Sequence, residues 1–145
     1  TSTLIQFLEP GEKAATSNRR QVETFLASGA IAIGDWVAFD DSQTGADKML
    51  FVEESTASAG GGLVCGVAIS AATAADDKID VVIGGFVAVA QIVGAITAGD
   101  PLRQSATVGA ADAATAGAEA VIGVALTTLA GPGAATAEVW VYNRF

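Results

Sequence analysis

The stretch that decides the fold is Gly29-Ala30-Ile31-Ala32-Ile33-Gly34-Asp35, which returns as Gly94-Ala95-Ile96-Thr97-Ala98-Gly99-Asp100 with five of the seven positions identical. A second echo follows in the same order, because Gly66-Val67-Ala68-Ile69-Ser70 returns as Gly123-Val124-Ala125-Leu126-Thr127. The first echo is offset by 65 residues and the second by 57, so the first copy holds an insertion of about eight residues. Ordered echoes of this kind indicate that one small module is duplicated.

A third echo fixes the extent of the two copies. Ile79-Asp80-Val81-Val82 in the first copy is echoed by Ala137-Glu138-Val139-Trp140 in the second copy. The repeat copies then span about 21–83 and 86–142. We expect both copies to share one core, because 145 residues are one domain's worth of chain.

Short β-rich segments separated by glycine turns fill both copies, which is typical of an all-β protein. An alanine-rich stretch, 110–120, is predicted as a loop or hairpin rather than a helix, because glycines interrupt it and it lacks a leucine stripe. Gly84-Gly85 is predicted to be a turn between two strands. We therefore expect a compact antiparallel β-barrel or sandwich built from two repeated β modules. The predicted strands are 22–27, 36–39, 49–52, 63–69, 79–83, 86–92, 102–104, 121–127 and 139–142.

The first 20 residues resemble neither copy, so we divide the chain into an extended N-terminal arm, 1–20, and a single β domain, 21–145. The arm opens with an apolar stretch that would be a liability unless it packed on another surface. We expect the arm to make contacts with a partner molecule or a neighbouring subunit. The residues predicted to make them are Leu4, Ile5, Phe7, Leu8, Arg19 and Arg20.

Composition excludes several functions. The chain is 51% hydrophobic but only 6% aromatic, so its core is made of small side chains and we expect modest intrinsic stability. The net charge is −9, and residues 1–30 hold three acidic and three basic side chains, so the whole excess lies beyond them. Such a body repels nucleic acid, and we expect no nucleic-acid partner.

Catalytic and metal-binding signatures are also missing from the sequence. The chain has no histidine, and Cys65 is its single cysteine, which excludes an internal disulfide and any histidine-dependent triad. Asp76, Asp77 and Asp80 form the one tight carboxylate group, but they lack the spacing of a calcium loop. Lys48 lacks the flanking motif of a biotinyl or lipoyl carrier hairpin. We expect no enzyme activity, no catalytic residues, no cofactor and no metal.

One uncharged stretch of 19 residues, Val81 to Gly99, is long enough to raise the question of a membrane span. Its glycines and its Val-Ala alternation favour paired buried strands instead. The chain opens without a basic region followed by an apolar one, so we expect no signal peptide, an intracellular product and no membrane partner.

With this duplication, the chain resembles the small Ala/Gly-rich head decoration (cement) proteins of tailed bacteriophages. The resemblance covers about residues 20–145 and rests on the Gly-Ala-Ile-x-x-Gly-Asp and Gly-Val-Ala-Ile/Leu-Ser/Thr motifs and the closing Val-x-Val strands. It implies a structural virion protein, made in the host cytoplasm, that binds the outer surface of an icosahedral capsid as homotrimers. Such a protein would clamp neighbouring copies of the major capsid protein and would also bind other copies of itself. The arm residues named above would then make the capsid or intersubunit contacts.

The alternative from a different class is a free-standing β module that binds carbohydrate or a host surface. Trp36 and Trp140 are the aromatic side chains that such a site would use. Packing in the core or at an interface is the competing interpretation of both. Binding to glycans in the absence of capsid would separate the two functions.

Overall fold

The computed structural model describes residues 20–56, 62–115, 117 and 120–145. Over these residues the chain is all-β, as predicted, and its one helical element is a short 3-10 helix, Gly45–Met49. The strands are β1 (Arg20–Ala27), β2 (Trp36–Phe39), β3 (Phe51–Glu54), β4 (Val64–Ala68), β5 (Lys78–Val93), β6 (Pro101–Gln104), β7 (Ala111–Ala113), β8 (Gly123–Ala125) and β9 (Ala134–Val141).

The nine strands form one mixed sheet in the order β1-β3-β2-β4-β5-β7-β6-β8-β9, with additional pairings β1–β5 and β5–β9. The additional pairings close the sheet on itself twice, so β1 to β5 form a first ring and β5 to β9 form a second ring. Most pairings are antiparallel, as expected, but β1–β3 and β5–β7 are parallel. Each ring therefore contains one parallel pairing, which the hairpin-like turns of the sequence did not reveal.

β5 corrects one prediction, because the chain does not turn at Gly84-Gly85. β5 continues through both glycines for 16 residues and belongs to both rings. Gly85 pairs with Arg20 of β1 and with Val141 of β9, so hydrogen-bonded neighbours on both edges hold the strand extended. Its φ of 103°, a conformation that favours glycine, lets the strand bend between the rings without reversing.

The uncharged stretch from Val81 to Gly99 lies largely within β5 and the bend that follows it. Within the part of the chain that the structure describes, no helix is long and apolar enough to cross a membrane.

The two rings share local structure at positions related by the first echo. The backbone N–H of Ala32 donates to the Asp35 carboxylate over 2.8 Å, and that of Thr97 donates to the Asp100 carboxylate over 2.8 Å. Each aspartate N–H donates in turn to the carbonyl of the same partner. Both Gly-Asp pairs therefore form the same side-chain-supported turn before β2 and before β6.

Two apolar cores lie on opposite faces of β2, β4 and the first half of β5. The first core is formed within the first ring, by Phe25, Ala27, Ile31, Val37, Phe39, Val52, Cys65, Ala68, Ala72, Ile79, Val81 and Ile83. The second core contains the interior of the second ring together with side chains from the outside of the first ring. Those outer side chains, named here the junction wall, are Trp36, Ala38, Val64, Val67 and Val82.

Alternation along β2 explains this division, because successive side chains of a strand point to opposite faces. Val37 belongs to the first core, while Trp36 and Ala38 belong to the second. All four residues of β2 are buried in consequence. The first ring is thus covered on its outer side by the second.

Candidate interaction surface

Of the residues predicted to make capsid or intersubunit contacts, Arg20 alone lies among the described residues. Leu4, Ile5, Phe7, Leu8 and Arg19 lie outside the described residues. Arg20 opens β1, is half-buried and pairs with Gly85 in the middle of β5. The chain therefore enters the β domain beside the point where the two rings meet.

The two tryptophans have different environments. Trp36 is fully buried, and its indole N–H donates to the carbonyl of Gln91 over 3.2 Å. Trp140 on β9 is 37% exposed. Trp36 is thus a packing residue, and only Trp140 could contact a ligand or partner, which removes the paired-tryptophan site that the alternative function would use.

A mainly apolar face surrounds Trp140, and it also carries the exposed Glu138, two residues before Trp140 on β9. Across the sheet, Trp140 pairs with Phe86 of β5 and with Val124 of β8, and Val124 pairs with Pro101 of β6. Directly paired residues share a face of the sheet, as do residues two apart on one strand. Leu126, two residues beyond Val124, is 42% exposed. These residues, Phe86, Pro101, Val124, Leu126 and Trp140, are named here the outer face.

An apolar cavity of about 260 Å³ opens at one end of the first ring. Its walls are mostly aromatic and aliphatic, with one carboxylate, and they are formed by Glu23, Phe25, Phe39, Met49, Cys65, Ile83 and Phe145. Phe145 is 54% exposed, and its ring packs edge-on against Phe39 with centroids 4.9 Å apart. This first-ring cavity is thus an apolar recess that is closed in part by the last residue of the chain.

Cys65 lies in the wall of the first-ring cavity but has the properties of a packing residue. Burial raises the pKa of its thiol to about 12, so it stays protonated at neutral pH. The thiol lies 3.6 Å from the carbonyl oxygen of Val37, a weak hydrogen bond. A protonated, buried thiol is a poor nucleophile.

The carboxylate group at Asp76, Asp77 and Asp80 stabilises a turn. Asp77 accepts hydrogen bonds from the backbone N–H groups of Thr73 and Ala74, which lower its pKa. Asp80 accepts from the Thr24 hydroxyl over 2.8 Å. Across residues 20–56, 62–115, 117 and 120–145, no group of three or more histidine, cysteine or acidic side chains could hold a metal ion.

Two other acidic positions, which the sequence did not single out, are shaped by their surroundings. Burial raises the pKa of Glu54, and the neighbouring Asp35 raises it further through a hydrogen bond and its negative charge. Burial also tends to raise the pKa of Asp40, but hydrogen bonds from Ser28, Ser42 and Gln43 outweigh it and lower the pKa to about 2.

The hydrogen bonds that the Asp40 carboxylate accepts attach loops to the first ring. The Ser28 hydroxyl donates to Asp40 over 2.5 Å, and the Gln43 side chain donates over 2.8 Å. Asp40 therefore joins the end of β1 to the loop that follows β2. Asp40, Asp77 and Asp80 thus have structural roles. The outer face and the first-ring cavity are two features through which a partner could bind.

Comparison with known proteins extends the description of the fold. No family model matches the chain, and no curated protein matches it. Among solved structures, the chain is similar to the head fiber gp8.5 N base of bacteriophage phi29, with a TM-score of 0.52 and 18% sequence identity. The match covers 86% of this chain and 95% of that one. At this identity the likeness is one of fold.

Proposed function

We propose that this protein is a structural component of a bacteriophage virion that binds the outer surface of an icosahedral capsid. The observation that carries the proposal is the fold shared with a phage head-fiber base over 86% of the chain. The resemblance of the sequence motifs to capsid decoration proteins supports the same class independently. Within that class, we propose that the protein clamps neighbouring major capsid proteins and acts as a homotrimer.

The accessible surface suits a protein that acts by adding interface area. Trp140 offers apolar contact area on a rigid sheet, and Leu126 adds to it from the bend that follows β8. A standard specific interface buries about 1,600 Å² in total. Repeated over a whole shell, even a modest gain at each site would oppose the pressure of packaged DNA.

The proposed role requires no catalysis. Cys65 is buried and protonated, and the tight carboxylate group fastens a turn. The net charge of −9 would keep a body of this apolar content soluble until it assembles.

Co-sedimentation with undecorated capsids of the parent phage tests the capsid-binding part of the proposal. We expect saturable binding at a fixed ratio to the major capsid protein. Trp140→Asp should bind less, because a charge in the outer face disrupts the contacts that this face makes, and Ile33→Asp, at another exposed apolar residue, is the matched control. Absence of saturable binding by the unmodified chain would contradict the proposal and favour a free-standing module, to be examined on a glycan array.

Heating decorated and undecorated DNA-filled capsids tests the clamping part. A clamp must raise the temperature at which DNA is released, since it binds the assembled shell and not the separated capsid proteins. Saturable binding without any change in that temperature would leave a capsid-attached protein that does not reinforce the shell.

A further inference from the structure

The junction wall shows how one ring of this fold covers another. The Trp36 backbone N–H donates to the carbonyl of Gly109 over 2.9 Å, and its indole N–H donates to that of Gln91 over 3.2 Å. The indole also reaches into the second ring, where its edge lies 3.2 Å from the position that a Cβ on Gly123 would take. The wall of the first ring thus fills the open end of the second ring.

The second ring carries an equivalent wall that nothing in the described chain covers. In the first ring, Trp36 pairs with Val67 and Val67 with Val82. In the second ring, Pro101 pairs with Val124 and Val124 with Trp140 at the corresponding positions of β6, β8 and β9. The first row is buried, whereas Pro101 and Trp140 in the second row are exposed.

The first ring, conversely, has an open end without a wall to fill it. Ala90 and Ile122 belong to the second core together with the junction wall, and they are the chain neighbours of Gln91 and Gly123, which Trp36 contacts. The strand registers and echo offsets make Phe25 the counterpart of Ala90 and Cys65 the counterpart of Ile122. Phe25 and Cys65 line the first-ring cavity. The cavity therefore occupies the place that the wall fills in the other ring.

We propose that the outer face of one copy of this chain packs over the first-ring cavity of a second copy, repeating between molecules the junction between the two rings. Strand ends support this occupant, because β9 ends at Val141 and β1 begins at Arg20. Both residues pair with Gly85, where the two halves of β5 meet. Within one copy, the first half of β5 in the first ring is followed by the second half of β5 in the second ring. Between copies, β9 of one molecule would be followed in the same way by β1 of the next molecule, so the contact would repeat the internal junction.

The contact is heterologous, because one copy contributes the outer face and the other the cavity. Repetition of such a contact closes a ring when the rotation permits it, and three copies would close the homotrimer of the proposed function. The proposal supplies the surfaces for that self-association and does not require capsid binding. Phe145, which already lies at the mouth of the cavity, becomes part of the interface.

Sedimentation of the purified full chain without capsid tests the contact. We expect the unmodified chain to form a species of several copies, and Trp140→Asp and Met49→Asp each to reduce it to the single 14.4 kDa chain. Met49 lines the cavity and is 53% exposed. Ile33→Asp is the matched control, because Ile33 is 54% exposed but belongs to neither surface.

Mixing the two variants gives the sharper result. Trp140→Asp leaves its cavity intact and Met49→Asp leaves its outer face intact, so together they should form a species of two chains and nothing larger. Far-UV circular dichroism spectra equal to that of Ile33→Asp, together with a cooperative thermal transition, would show that both variants are folded.

Three outcomes would overturn the proposal. They are a monomeric unmodified chain at all attainable concentrations, loss of assembly in Trp140→Asp but not in Met49→Asp, and two-chain species absent from the mixture of folded variants. The second outcome would indicate that outer faces meet each other. Failure of capsid co-sedimentation by a chain that self-associates as described would instead count against the capsid-binding function alone.

Discussion

At Gly66, on β4, the backbone of β5 approaches so closely that no side chain fits. A Cβ there would overlap the carbonyl oxygen of Val82 and lie 2.8 Å from a methyl carbon of Val81. Its counterpart in the second ring, Gly123, has the same constraint, because a Cβ would lie 2.6 Å from the carbonyl oxygen of Trp140. The Gly-Val-Ala motif is thus repeated because two strands must meet at each position.

We expect Gly66→Ala to lower the free energy of unfolding by about 3 kcal/mol, since relief of the overlap must move backbone and not a flexible side chain. Urea denaturation measures the change. Gly29→Ala is the control, because nothing lies within 4 Å of the position of its Cβ, and its effect should stay within about 0.5 kcal/mol. Equal stability of the two variants would refute the close approach.

The carboxylate of Asp40 makes the free energy of unfolding depend on pH, and the direction of its pKa shift fixes the sign. Its pKa is lowered from 3.8 to about 2 in the folded chain. A lowered pKa means that its stabilising contribution is complete above pH 3.8 and is lost as the pH falls towards 2. The shift corresponds to about 2 kcal/mol.

We expect Asp40→Asn to be less stable than the unmodified chain at pH 6, and the difference to shrink steadily between pH 4 and pH 2. Measurement of unfolding free energies by urea across this range checks the prediction. Asp41→Asn removes an exposed neighbouring carboxylate instead and should not reproduce this convergence. A difference that is constant with pH would mean that the hydrogen bonds to Asp40 do not depend on its charge.

At the scale of the elements, the sequence predicts strands more reliably than their partners. The segment 36–39 is predicted as a strand, and β2 has these bounds because its β-branched and aromatic residues favour a strand between two turns. The prediction of a turn at Gly84-Gly85 was wrong because paired glycines suit a strand that bends as well as a chain that reverses. Only the pairing of Gly85 with both β1 and β9 decides between them.

The candidate surface was predictable only in part, for the same reason. Trp140 was identified from its residue type, but Trp36 was identified equally, and nothing local separates the two. Trp36 is buried because the second ring covers it, whereas the described residues leave Trp140 exposed. The first-ring cavity likewise arises from residues of β1, β2, β4 and the C-terminus, whose proximity depends on ring closure.

At the scale of the whole molecule, separating the two rings would destabilise both of them. The second core takes Trp36, Val67 and Val82 from the first ring, so a second ring alone would lack the wall that fills its end. The first ring alone would expose that wall to water, at about 25 cal/mol per Å² of apolar surface. Small side chains suffice for this fold because β2, β4 and the first half of β5 contribute side chains to both cores.

The arm belongs to this scale too, and its first 19 residues lie outside the described residues. We expect a full-length variant with Leu4, Ile5, Phe7 and Leu8 all changed to serine to fold with an unchanged thermal midpoint but to bind capsids weakly. Burial of one large apolar side chain contributes about 1.5–3 kcal/mol, and each 1.4 kcal/mol is about tenfold in affinity. Loss of the set should therefore weaken capsid binding by at least about 100-fold in co-sedimentation titrations.

The control carries Glu12→Ser and Lys13→Ser, which alter the same arm without removing apolar surface or changing its net charge. Equal capsid occupancy by the two variants would show that the arm makes no energetically important contact with the shell.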